Sequence, residues 1–171
     1  GTTQQQLKLA TGPDAARAFL PDDVSVGGVE FSPDGRMISF LWTKDGEKRA
    51  VWGIPTDGGA QRKLAAVEGV GVSSYAWSPD GSMIHMLTAA AEDTARTSQD
   101  KAGFNAVVYE EEARLNRMFS ARVGEEIDAE PRAVTIPGYV SAFHVAPDGR
   151  MAVVESAPTP LVDDSYTAKR A

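Results

Sequence analysis

The stretch FSPDGRMISFLW, residues 31–42, returns with changes as WSPDGSMIHMLT at 77–88 and as VAPDGRMAVVES at 145–156. Each copy sets proline, aspartate and glycine between two apolar runs. Pro33 fixes φ at the first central position of a type I turn, Asp34 bonds back to the local backbone, and Gly35 takes the left-handed conformation that leads into a return strand. Proline also rules out a helix running through this point. The flanks are β-branched, aromatic or otherwise apolar, so each copy reads as a β-hairpin.

Pro33, Pro79 and Pro147 stand 46 and 68 residues apart. The first interval matches a four-stranded propeller blade, about 40–50 residues long. The second requires an insertion. Between the copies, RAVWGIPT from Arg49 and RKLAAV from Arg62 read as the third and fourth strands of one blade. NRMFSARV from Asn116 and PRAVTIP from Pro131 take those places in the next. The fold class is therefore all-β, an incomplete β-propeller with two four-stranded antiparallel blades and part of a third. Residues 1–23 form a lead with a short helix over 13–20, Pro13 in its first turn. Residues 24–171 form the partial propeller: a blade at 24–67, a blade at 72–137 that carries an inserted loop at 89–115, and a partial blade at 139–171. Closed propellers use at least about four blades, so open strand edges predict a homo-oligomer joined edge to edge. Both ends, GTTQQQLKLA and DDSYTAKRA, read as cuts from a longer protein.

The chain has 171 residues, with 17 Lys and Arg against 24 Asp and Glu and a net charge of −7. That balance argues against a continuous positive surface for nucleic acid or anionic lipid. The absence of cysteine removes disulfides, thiol nucleophiles and cysteine-bound zinc. No apolar run approaches the roughly 20 residues of a membrane span, and no basic stretch leads into an apolar one at the start.

The run SPDGRMISFLW, with VWGIPTDGGAQRKLA and YAWSPDG after it, resembles the TolB-type propeller repeat. Together with KAGFNAVVYEEEARLNRMFSARVG it is similar to the N-terminal propeller of the prolyl oligopeptidase family, in the bacterial dipeptidyl and acylaminoacyl peptidase branch. The resemblance runs from Ala15 to the end. It implies a propeller that sits over an α/β-hydrolase domain with a Ser, Asp and His triad and filters peptide substrates by size. That hydrolase domain and the peptide are then the partners of this segment, in a periplasmic or secreted protein, with the cytoplasm as the alternative. The chain contains no G-x-S-x-G nucleophile elbow. It is expected to supply no catalytic residue, metal site or cofactor of its own. The rival reading is a non-catalytic TolB-like propeller that binds a protein partner on its face.

The sharpest candidate site is VVYEEEARL, residues 107–115. In dipeptidyl peptidase relatives a YEEE segment holds the free amino terminus of the peptide, and the resemblance gives that task to Glu111 and Glu112, as paired carboxylates suit an ammonium group. Here a further strand, NRMFSARV, separates the segment from the next P-D-G hairpin, which departs from the family pattern. The plainer reading is a solvated acidic turn with Glu110 beside Arg114. His85 alternates with Ile84 and Met86 and has no second ligand at metal-binding spacing. Asp34, Asp80 and Asp148 are explained by their turns rather than by calcium. Trp42, Trp52 and Trp77 fall on strands as packing groups.

Overall fold

The computed structural model describes residues 8–10, 16–18, 20, 25–88, 115–124 and 131–160, and within them all regular structure is strand, with no helix. Strands β1 (Lys8–Ala10) and β2 (Ala16–Ala18) pair antiparallel, Lys8 opposite Ala18. At residues 16–18 this corrects the helix expected over 13–20, of which 13–15 and 19 lie outside the described residues. A helix of two turns is too short to repay its nucleation in water, whereas pairing satisfies the same backbone groups across a ladder.

Three sheets follow. The first holds β3 (Gly27–Phe31), β4 (Met37–Trp42), β5 (Ala50–Pro55) and β6 (Arg62–Ala65), antiparallel and in chain order. The second holds β7 (Val72–Trp77), β8 (Met83–Thr88), β9 (Arg117–Arg122) and β10 (Arg132–Val134), again in order. In the third, β11 (Tyr139–Val145) pairs with β12 (Ala152–Ala157). The register shifts near the start of each first strand: Gly27 to Glu30, Val72 to Ser74, Val140 to Ala142. None of the sheets closes on itself.

Each P-D-G bend forms the same turn. Gly35, Gly81 and Gly149 lie at φ of 70°, 72° and 68°. Their amides donate to the carbonyls of Ser32, Ser78 and Ala146 at 2.8, 2.9 and 2.9 Å. In the first two turns the preceding serine does additional work. Ser32 Oγ donates to Asp34 Oδ1 at 2.6 Å and accepts from the Met37 amide at 3.0 Å. Ser78 repeats this with Asp80 and the Met83 amide at 2.6 and 2.9 Å. The bends also sit against one another. A Cβ on Gly81 would touch Pro33 Cδ at 3.7 Å, and one on Gly149 would meet Pro79 Cδ at 3.2 Å. Pro33 and Pro79 thus each face the glycine of the next copy.

The sheets stack face to face. Between the first and second lie Leu41, Val51, Leu64, Tyr75, Ile84 and Met86; between the second and third lie Leu87, Met118, Val140 and Phe143. The outer face of the first sheet buries Ile38, Phe40, Trp52 and Ile54 with Leu20. Middle strands are therefore covered on both sides, which is why MISFLW and AVWGIP read as apolar runs rather than alternations. Full burial of each such side chain contributes about 1.5–3 kcal/mol. Close approach is built in at Gly53, where a Cβ would stand 2.6 Å from Met37 Sδ and 2.7 Å from Leu64 Cδ1.

One polar group is set into the first interface. Ser39, fully buried, receives the Trp77 indole N–H at 2.8 Å and lies 2.8 Å from the Tyr75 hydroxyl. Tyr75 donates to the Gly28 carbonyl at 2.6 Å, and Ser39 Oγ is 3.1 Å from the Glu30 carbonyl it can donate to. Burial pushes the Tyr75 phenol well above its usual range. Desolvation raises the neighbouring Glu30 carboxyl. The second sheet is thereby tied to the first strand of the first.

Candidate functional site

The three bends define one end of the stack, so the opposite end is where longer connections can vary. There β4 passes to β5 through residues 43–49, with Trp42 opposite Ala50. Thr88 is paired with both Val72 and Arg117 and is the residue at which the inserted segment leaves β8. The Val72 amide donates to the Arg49 carbonyl at 2.8 Å. The turn after β4 and the base of the insertion therefore share this end.

An open cleft of about 610 Å³ lies here, lined by Val26, Leu41, Trp42, Lys44, Asp45 and Arg49, with the hydroxyls of Ser25 and Thr43 at its margin. Its volume is within the range of small-molecule and cofactor sites, about 300–1,000 Å³. Local sequence fixes the geometry. Asp45 and Gly46 both have positive φ, 50° and 78°, and the Glu47 amide donates to the Lys44 carbonyl at 2.9 Å. That is the Asp-Gly hairpin turn whose twist suits flanking strands. It holds Lys44 over two indoles, its Nζ 5.4 Å from the Trp42 ring centre and 5.1 Å from that of Trp52. The two rings meet edge on at 5.2 Å. Lys63 also lies over Trp52, its Nζ 5.4 Å from the ring centre, and is paired with Glu47. Arg49 reaches across β3: a Cβ on Gly27 would be only 2.9 Å from Arg49 Nη2.

The sequence-derived candidates fare differently. Glu111 and Glu112, with Tyr109, Glu110 and Arg114, lie outside the described residues. Asn116, just beyond that segment, donates from Nδ2 to the Tyr139 hydroxyl at 3.2 Å. His85 Nδ1 is 2.8 Å from Ser120 Oγ across β8 and β9, and burial lowers its pKa. His144 is exposed on β11 opposite Val153. Asp34 and Asp80 are held below the usual carboxylate range, first by their serine hydroxyls and next by backbone amides, Asp80 down to about 2. Asp148 accepts the Arg150 amide at 3.0 Å, the same role without a serine. No cluster of three metal-ligating side chains occurs among the described residues. Nor does any helix there have the length and apolarity to cross a membrane.

The side chains that sequence reasoning passed over are Ser39, Lys44 and Arg49. Ser39 carried a faint signal, a hydroxyl inside an apolar run. Lys44 reads as an ordinary turn charge and Arg49 as the start of a strand, since only the pairing of β3 with β4 and of β4 with β5 brings Arg49 over Gly27.

No family model matches the chain. A stretch of 75 residues is 36% identical to an uncharacterized peptidase, YuxL, of Bacillus subtilis (strain 168); the match takes in 41% of this chain and 11% of that protein. Among solved structures, acylaminoacyl peptidase of Pyrococcus horikoshii superposes with a TM-score of 0.50 at 14% identity, over 85% of this chain and 22% of that one. TolB of Acinetobacter baumannii gives 0.41 at 14% identity, over 91% and 44%. The chain thus matches only a fraction of each relative's length, and its likeness to the Pyrococcus structure is one of fold alone.

Proposed function

We propose that this chain is part of the substrate-gating propeller of a serine peptidase of the dipeptidyl or acylaminoacyl type, and that it performs no hydrolysis itself. The observation that carries this reading is the 36% identity to a peptidase over 75 residues, drawn from a chain that lacks a nucleophile elbow. The stacked sheets, each headed by the same bend and each bend seated on the last, support radial repetition. On this reading the first two sheets are blades at 24–67 and 72–137, and the third is the start of another at 139–171. Their partner is an α/β-hydrolase domain, and the protein works in the periplasm or outside the cell.

The propeller's part is steric and electrostatic. Its ring admits short peptides to a closed chamber and turns away folded chains, while Glu111 and Glu112 on the insertion anchor the ammonium terminus of the substrate. The test is made on the intact gene product, replacing both glutamates by glutamine and comparing peptides with free and acetylated amino termini. The expected result is a loss of kcat/KM confined to the free-amine peptide, about tenfold or more for a charge-assisted contact. Equal losses on both peptides would remove the anchoring role. Further P-D-G repeats running to the stop codon, with no nucleophile elbow, would replace the peptidase by a partner-binding propeller.

A further inference from the structure

The cleft beside the turn after β4 is lined by more positive than negative side chains. Acidic groups outnumber basic ones, 24 to 17, yet no described carboxylate lies within ion-pair distance of Lys44 or Arg49. Glu47, between Lys44 and Arg49 in sequence, is paired with Lys63. Asp45 is the one acid in the lining, at the exposed tip of the hairpin, so the lining carries two cations against one anion.

The Lys44 ammonium is held in place before any ligand arrives. The Lys44 ammonium rests on Trp42 and Trp52, a contact that favours the charge and fixes its position without neutralising it. The Arg49 backbone is bound through its carbonyl to Val72, and its guanidinium crosses the bare face of Gly27. A side chain at residue 27 would collide with it. A planar guanidinium and an ammonium in one lining with the apolar Val26, Leu41 and Trp42 match a carboxylate that carries a hydrophobic group beside it.

We infer that this cleft binds a peptide carboxylate, through Arg49 and Lys44, with the adjoining apolar side chain on Trp42. The inference rests on the proposed function only in taking the ligand to be a peptide. Binding is measured on this chain without catalysis, so a missing peptidase activity would leave the result readable.

The probes are acetyl-Ala-Ala-Phe as the free acid, its C-terminal amide, and acetyl-Ala-Glu-Phe amide, titrated into the full chain by calorimetry. The free acid should bind about tenfold more tightly than the amide, as expected for charge-assisted hydrogen bonds. Arg49→Gln and Lys44→Gln should each bring the acid toward the amide's affinity, and Arg49→Lys should restore part of the difference. If the glutamate-containing amide binds as well as the free acid, the carboxylate is a side chain's; if it binds like the plain amide, it is the terminal one. Equal binding of acid and plain amide, no binding of any probe, or an Arg49→Gln chain that keeps the preference would overturn the inference. Lys44→Gln leaves the contacts of the Arg49 backbone and guanidinium in place, so it carries the test if Arg49→Gln fails to fold.

Discussion

Replacing Ser39 by alanine removes one oxygen from the joint between the first two sheets, and the structure sets the cost. That oxygen accepts the Trp77 indole N–H and touches the Tyr75 hydroxyl, both at 2.8 Å. Ser39 is fully buried and Tyr75 is 6% exposed, so water cannot simply take its place. The substitution leaves one indole donor unsatisfied, worth about 1–3 kcal/mol. Tyr75→Phe orphans the Gly28 carbonyl instead, at a similar cost of about 1–2 kcal/mol. Because the two hydroxyls contact each other, the double variant should lose less than the sum, by about 0.5 kcal/mol or more. Urea unfolding followed by tryptophan fluorescence gives all four corners of the cycle. In thermal terms Ser39→Ala should lower Tm by about 4–8 °C, taking about 2 kcal/mol at roughly 2–4 °C per kcal/mol. A Ser39→Ala chain within 0.5 kcal/mol of the parent, or strict additivity in the double variant, would refute the joint as described.

Gly53→Ala should destabilise by about 1–3 kcal/mol through overpacking, since its Cβ would enter Met37 and Leu64; the same unfolding assay measures it. Asp80, depressed to about 2, contributes stability that is complete above its unfolded value of about 3.9 and disappears as pH falls toward the folded value. Asp80→Asn should therefore flatten the acid limb between about pH 4 and 2 in a circular dichroism titration. His85 is also depressed in the folded state, so the neutral ring favours folding above its unfolded pKa of about 6.5, and that share is lost as pH drops through the lower folded value. His85→Gln should weaken the fall in urea midpoint from pH 7 to pH 5; an unchanged slope would show that another group governs it.

The hairpin bends were legible because their chemistry is local: proline sets φ, glycine takes the positive φ, and aspartate caps the amide two residues on. The strands around them were legible for a similar reason, as apolar runs such as MISFLW and AVWGIP need only be long enough for a strand and bounded by turn residues. What depends on distant pairing was not. Ser39 bonds to residues 36 and 38 positions further on, and nothing in MISFLW names those partners. The use of Pro33 and Pro79 as seats for the next glycine follows from how sheets stack, which a turn motif does not encode. Ala16–Ala18 carried helix-forming alanines in a segment too short for propensity to decide, and strand pairing prevailed. The cleft was invisible for the same reason as Ser39, since Val26, Leu41 and Arg49 meet only once β3, β4 and β5 are in register.

Size selectivity tests the central claim most directly. The intact gene product should be assayed for kcat/KM on a two-residue chromogenic substrate and, in parallel, on a folded protein that carries the same cleavable sequence in an exposed loop. The gating account predicts rapid turnover of the short substrate and cleavage of the folded protein slower by about a hundredfold or more, a barrier of roughly 2.7 kcal/mol. Comparable rates on the two, or no hydrolysis of either, would contradict it.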